Sequence, residues 1–203
     1  MTELELKGAT VTYYNDFINN EKAIEYYDIL LDSFDFIRRR VTYENGKAKL
    51  NRGTVAFGDD GFDIPDIWGD DIILNNWTDE LREIKNMVEA ITKNTYNICL
   101  CNWYSTKGRG IGWHADREEL GDTQSIASIS LGAKRPFLFR EKDSDKECLN
   151  IELDNGSLLW MGPGTQENYE HCVPKVKYEV GGRINLTFRK FHKSNYVKKY
   201  AEN

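Results

Sequence analysis

No stretch of this sequence is apolar over the length a membrane-spanning helix needs, and its opening "MTELELKGAT" has neither the basic flank nor the apolar run of a signal peptide. The expectation is a protein made and kept inside the cell, nuclear or cytoplasmic. Internal repeats, low-complexity tracts and proline-rich linkers are also missing, so one domain over 1–203 is expected. The four cysteines form no CxxC pair, and a chain of this size buries enough core to do without disulfide staples. They read as reduced thiols, with Cys99 and Cys101 in "YNICLCNWY" as buried small hydrophobes. An excess of positive charge is absent too. With 27 basic against 33 acidic residues the net charge is -6, which argues against a bulk electrostatic nucleic-acid binder. Local basic runs remain at Arg38, Arg39 and Arg40, at Lys47, Lys49 and Arg52, and near the end at Lys190, Lys193, Lys198 and Lys199. Most such runs are solvated faces, yet phosphate contacts need only a few groups on one side.

Two segments have helical period. After Asn19-Asn20 the residues Ile24, Tyr27, Leu31 and Phe34 recur at steps of three or four, with Asn20 as the expected cap. A second helix is expected from Thr78, with Asp79 and Glu80 in its first turn and a stripe of Leu81, Ile84, Val88 and Ile91. From Thr95 the period changes to two. "TYNICLCNWY", "SIASISLG", "RPFLFR", "CLNIEL", "SLLWMG" and "GRINLTFR" read as short strands, which suggests an α+β sandwich or barrel with helices packed outside. Upstream, "RRRVTYENGKAKLNRGTVAF" reads as a hairpin, because Asn45-Gly46 suits a tight primed turn.

Histidine is scarce, at three residues, and one of them stands two positions before a carboxylate in "GIGWHADREE". On a strand, side chains at i and i+2 share a face, so His114 and Asp116 project together. Such a pair can share a metal ion and supplies two of the three ligands in the facial triad of non-haem Fe(II) oxygenases, although an ordinary hydrogen-bonded pair is the commoner use. His171, in "NYEHCVPK", is the best third ligand; His192 beside the last basic cluster reads as exposed. The glycines of "GRGIGWHAD" are expected to let the chain turn tightly ahead of the metal strand. In "GRINLTFR", period two puts Arg183, Asn185, Thr187 and Arg189 on one face and Ile184, Leu186 and Phe188 on the other. Arginines facing the interior of a small barrel are costly unless an anion meets them, and a small dicarboxylate gripped by guanidinium forks would do so. Asn102 and Tyr104, also two apart, can add an amide and a hydroxyl to the same anion. A polar face that simply meets water is the alternative.

The stretches "NWY", "GWHADREE", "SIASISLGAKRPFLFR", "EHCVPK" and above all "RINLTFRK" resemble the AlkB family of Fe(II)- and 2-oxoglutarate-dependent nucleic-acid demethylases, closest to its DNA-repair branch. The match is dense from Asn97 to Phe191 and looser back through "NRGTVAFGDDG". The resemblance implies a double-stranded β-helix (jelly roll) core over 95–191, buttressing helices, and a nucleotide-recognition lid within 35–75 that contains the hairpin. It implies that His114, Asp116 and His171 hold Fe(II), and that Arg183, aided by Tyr104 and Asn102, grips one carboxylate of 2-oxoglutarate. Arg189 and Asn185 would lie near the other end of the cosubstrate, with O2 as the oxidant. Glu118 matches an acidic position that contacts the methylated base, Tyr43 is a candidate wedge, and Arg52 belongs to the basic hairpin. The base-stacking aromatics of the family are not matched cleanly by "DGFDIPDIWGDD", which leaves Phe57, Phe62 and Trp68 as the nearby candidates. The implied activity is oxidative demethylation of 1-methyladenine or 3-methylcytosine in DNA or RNA by a monomer. Carboxylates near the pocket would favour these cationic lesions by Coulomb attraction. Competing readings are an oxygenase of another substrate, a binding module on the same frame and, more distantly, a zinc hydrolase.

Overall fold

The structure, a computed structural model, describes residues 1–42, 48–62, 72–105, 109–117 and 121–192. The chain forms β1 (Thr2–Glu3), β2 (Val11–Tyr14), α1 (Asn20–Ser33), β3 (Ile37–Thr42), β4 (Ala48–Gly58), β5 (Leu74–Asn76) and α2 (Asp79–Thr92). It continues through β6 (Ile98–Tyr104), β7 (Ile111–His114), β8 (Ile126–Gly132), β9 (Arg135–Glu141), β10 (Glu147–Leu153) and β11 (Ser157–Met161). The last elements are α3 (Thr165–Asn168), β12 (Tyr169–Val173) and β13 (Arg183–Arg189). The strands make two sheets. A larger sheet runs β1-β2-β11-β8-β13-β6-β4-β3, with β5 added alongside β4, and a smaller one runs β10-β9-β12-β7. Val11, Ile126, Leu159 and Met161 of the large sheet pack against Phe137, Phe139, Tyr169 and Val173 of the small one, while α1 and α2 cover the large sheet's other face. The result is the jelly-roll α+β architecture, with β13 held between β8 and β6 in the middle of the large sheet.

Both helices begin near where capping chemistry places them, but the buried stripe of α1 is rotated from the expected one except at Phe34, and that of α2 departs from it only at its last position. Asn19, not Asn20, caps α1, its side-chain oxygen accepting the Lys22 N–H at 2.9 Å. The residues against the sheet are Ala23, Tyr26 and Leu30; Tyr27 and Leu31 flank them, and Ile24 stays 49% exposed. A small residue on the contact line explains the rotation, because Ala23 lets the helix axis approach the turn at Gly156 closely, where a Cβ would come within 3.1 Å of the Ala23 methyl group. Thr78 caps α2 as expected, accepting the Leu81 N–H at 3.3 Å, and Leu81, Ile84 and Val88 are buried. The stripe then continues to Thr92 rather than to Ile91, which is 44% exposed. Leu30→Ala should therefore cost about 2–5 kcal/mol of stability, and Ile24→Ala no more than about 0.5 kcal/mol, read as shifts in urea midpoint. Equal losses would show that the buried face of α1 is misassigned.

β3 and β4 form the expected hairpin, with Thr42 opposite Ala48 and Val41 opposite Lys49, and β4 joins the large sheet beside β6. Asn45-Gly46 and Tyr43 lie outside the described residues. Cys99, Cys101, Cys148 and Cys172 are free thiols, the first two fully buried on the helix side of β6.

Candidate active site

β13 splits its residues by phase. Ile184, Leu186 and Phe188 enter the core under the helices, while Arg183, Asn185, Thr187 and Arg189 line a cavity between the two sheets. Asn102 and Tyr104 reach the same cavity from β6, which pairs with β13 in the register Arg183 opposite Tyr104 and Asn185 opposite Asn102. The small sheet forms the opposite wall. There β12 and β7 pair His171 directly with His114, their rings 4.4 Å apart between centroids. Asp116 lies just beyond the end of β7, so the alternation argument for His114 and Asp116 holds only in part: one is the last strand residue, the other follows the strand. Ligand atoms of His114, Asp116 and His171 all fall within 4.8 Å of one another. This donor set, two imidazoles and one carboxylate with open space beside it, is that of the 2-His-1-carboxylate facial triad.

Local chemistry prepares these groups for a cation. The His114 Nδ1–H donates to the Gly112 carbonyl at 2.8 Å, which fixes the tautomer that leaves Nε2 free for a metal. Burial would push the Asp116 carboxyl up, but the Arg189 guanidinium and the two imidazoles together hold it down at about 2. Burial, then the neighbouring His114, push His171 down to about 3, so both groups are in their ligating form at neutral pH. His171 stacks on Phe137 with centroids 5.2 Å apart, and its buried Nδ1 has no hydrogen-bond partner among the described residues.

Gly110 has a different function from the one expected. A Cβ there would sit 2.0 Å from the Val173 carbonyl oxygen, so glycine is needed for the close approach of β7 to the end of β12 rather than for a turn. At Gly112 a Cβ would meet nothing within 4 Å.

The far end of the cavity suits a carboxylate. Arg183, 2% exposed, donates from Nη2 to Ser130 Oγ at 2.8 Å and lies 5.3 Å from the centre of the Tyr104 ring. Its Nε and Nη1 are buried without partners among the described residues. Burial pushes its pKa down to about 10, which still leaves it a cation at neutral pH. A buried guanidinium with two unfilled donors is costly unless an anion completes it. Asn185 is held by Ser128 Oγ at 2.8 Å and the Ile129 carbonyl at 3.1 Å, and Thr54 Oγ1 donates to Asn102 Oδ1 at 3.3 Å. Arg189 instead meets the metal end of the site, its Nη2 2.7 Å from Asp116 Oδ1.

Four contributors were not singled out in the sequence. Ser128 and Ser130 alternate with isoleucine in "SIASISLG", a legible period-two signal for a polar face opposite Arg183 and Asn185. Arg135 braces the chain on both sides of the β7–β12 pair, donating to the Arg109 carbonyl at 2.7 Å and the Pro174 carbonyl at 2.8 Å. Gln166 accepts the Asp116 N–H at 2.8 Å and has no sequence signal of its own. One candidate is corrected. Phe57 does not face the cavity: β4 alternation pairs it with Cys99 on the helix side, where it packs on Phe34 at 4.3 Å between ring centroids. Trp68 and Glu118 lie outside the described residues, and Arg52 is described only as backbone within β4.

The model of the 2OG-Fe(II) oxygenase superfamily matches residues 10–189. Human alpha-ketoglutarate-dependent dioxygenase alkB homolog 3 is 40% identical over 123 residues, 56% of this chain and 43% of that protein. Human DNA oxidative demethylase ALKBH2 is 33% identical over 178 residues, 84% of this chain and 65% of that protein. The solved structure described as "The structure of OsALKBH1" superposes with a TM-score of 0.65 over 93% of this chain and 100% of that chain at 18% identity, a likeness of fold. The chain spans about half the length of the curated relatives it matches. The chain belongs to the 2OG-Fe(II) oxygenase superfamily and, within it, to the AlkB family. Fe(II), 2-oxoglutarate and O2 are the cofactor set that this family implies, and the His114, Asp116, His171 and Arg183 chemistry fits it.

Proposed function

We propose that this protein oxidatively demethylates N-alkylated bases, 1-methyladenine and 3-methylcytosine, in nucleic acid, with DNA repair as the setting. The observation that carries the reading is a single cavity with a three-ligand metal set at one end and the incompletely paired Arg183 at the other. When bound, Fe(II) with 2-oxoglutarate supplies O2 activation, and the overall reaction converts the cosubstrate to succinate and CO2 while the N-methyl carbon leaves as formaldehyde. The chain's own part is orientation. Arg183 and Tyr104 hold the cosubstrate's remote carboxylate, Asn102 and Asn185 lie between that end and the metal set, and the apolar walls at Leu100, Ile111 and Val173 limit water. A base must leave its stack to reach this depth, and damaged, weakly paired bases cost least to extract. Glu118 favours the cationic lesion over the neutral base in this reading, Arg52 meets backbone phosphate, Tyr43 fills the gap that the base leaves in its stack, and Trp68 stacks on the displaced base.

The test is mass spectrometry of single- and double-stranded DNA and of RNA, each carrying one 1-methyladenine or 3-methylcytosine, incubated with protein, Fe(II), ascorbate and 2-oxoglutarate. Loss of the mass of one methylene, dependent on iron and cosubstrate, is expected on at least one DNA strand form. Succinate formation without that loss on any strand would overturn the substrate assignment and leave the oxygenase.

A further inference from the structure

Of the three residues that would hold a metal, Asp116 is the one no strand ladder fixes. β7 ends at His114, and the register with β12 stops there. The Asp116 backbone N–H instead donates to Gln166 Oε1 at 2.8 Å. Gln166 is 4% exposed, and its Nε2 lies 3.5 Å from Met161 Sδ on the cavity wall. Only the oxygen of the amide can accept that N–H, so the orientation of the side chain is settled by its partner.

The base of Gln166 is rigid. α3 is a single turn preceded by Gly164 in the left-handed region at φ +79, where a Cβ would meet the Gly8 carbonyl oxygen at 2.0 Å. The Thr165 hydroxyl donates to the Gly162 carbonyl at 2.8 Å and the Asn168 amide donates to the Gly8 carbonyl at 3.0 Å. α3 runs straight into β12, the strand of His171. One anchored block thus carries His171 through the chain and reaches Asp116 through Gln166.

We propose that Gln166 is a positioning residue for the metal centre, setting where the Asp116 carboxylate stands relative to His171. The proposal rests on the metal-site reading of His114, Asp116 and His171. Arg189 grips the carboxylate itself, and Gln166 fixes the backbone from which it projects, so the two act on different degrees of freedom. Partners one step removed from a metal change its affinity by about 10- to 100-fold when lost.

The experiment titrates Mn(II) into the full chain, following free and bound ion by electron paramagnetic resonance, with thermal unfolding as a control. Gln166→Leu should weaken Mn(II) binding about 10- to 100-fold and broaden the bound-ion spectrum. Gln166→Glu, which keeps an acceptor oxygen, should bind at least as tightly as the parent. Leu30→Ala, which opens the core under α1 on the opposite face of the large sheet from Asp116, should lower thermal stability with Mn(II) affinity kept. Should Gln166→Leu fail to fold, Gln166→Asn, whose amide falls short of the Asp116 N–H, carries the same expectation. Parent-like affinity in the leucine or asparagine variant, equal losses in Gln166→Leu and Gln166→Glu, or an equal loss in Leu30→Ala would each overturn the role of Gln166. No Mn(II) binding by the parent would overturn the metal-site reading itself, and Gln166 with it.

Discussion

Asp116→Ala is expected to lower metal affinity by more than about 100-fold, beyond the range seen for residues one step removed, and to bring cosubstrate turnover to background. The effect is electrostatic as much as geometric. Asp116 is the one anion of the three ligands, and it is held ionised inside a buried site by Arg189 at 2.7 Å. Its removal leaves two neutral imidazoles facing a divalent cation, with a guanidinium aimed at the same space. The metal-free variant should also unfold at lower urea than the parent, because Arg189 is left as a buried cation without its partner. Asp116→Asn, which keeps the volume but not the charge, should lose metal nearly as severely. Anaerobic Fe(II) titration decides the matter: parent-like affinity in either variant would remove Asp116 from the metal site.

The second large effect is at the other end of the cavity. Arg183→Met should weaken 2-oxoglutarate binding by about 10²- to 10³-fold, the loss of two charge-assisted hydrogen bonds at about 1.5–3 kcal/mol each, discounted for partial compensation. Fe(II) affinity without the cosubstrate should stay at the parent value, since Arg183 touches Ser130 and Tyr104 rather than any metal ligand. Arg183→Lys should rescue only a fraction, because an ammonium cannot reproduce the planar fork. Calorimetry of 2-oxoglutarate against the metal-loaded protein measures both variants, and anaerobic Fe(II) titration without cosubstrate measures the metal affinity; unchanged 2-oxoglutarate affinity in Arg183→Met would mean that another cation grips the anion.

How far the molecule was legible follows from which signals are local. The two faces of "RINLTFR" were readable because strand alternation is a short-range geometric rule, and the cavity inherits it directly. The burial of Cys99 and Cys101 was readable from the apolar run in which they lie. The α1 stripe was misplaced because Ile24 is the more apolar residue, whereas close packing on the sheet favours the smaller Ala23. β2 and β12 were missed as strands since their mixed sequences, "VTYY" and "YEHCV", become strands by pairing with β11 and with β7 and β9. Phe57 was assigned by nearness in sequence to the family's aromatics, and its phase on β4 sends it the other way. Gln166 reaches its partner across 50 residues, a contact that no local pattern encodes.

β13 has one further property that follows from its two faces. With cations on one side and helix-facing apolar groups on the other, it behaves like a reading frame: residues can be exchanged within a phase, but the phase itself admits no shift. Inserting or deleting one residue in 183–189 would send the apolar set into the cavity and arginines beneath the helices in the same event. Along this strand, change is therefore confined to substitution within a phase.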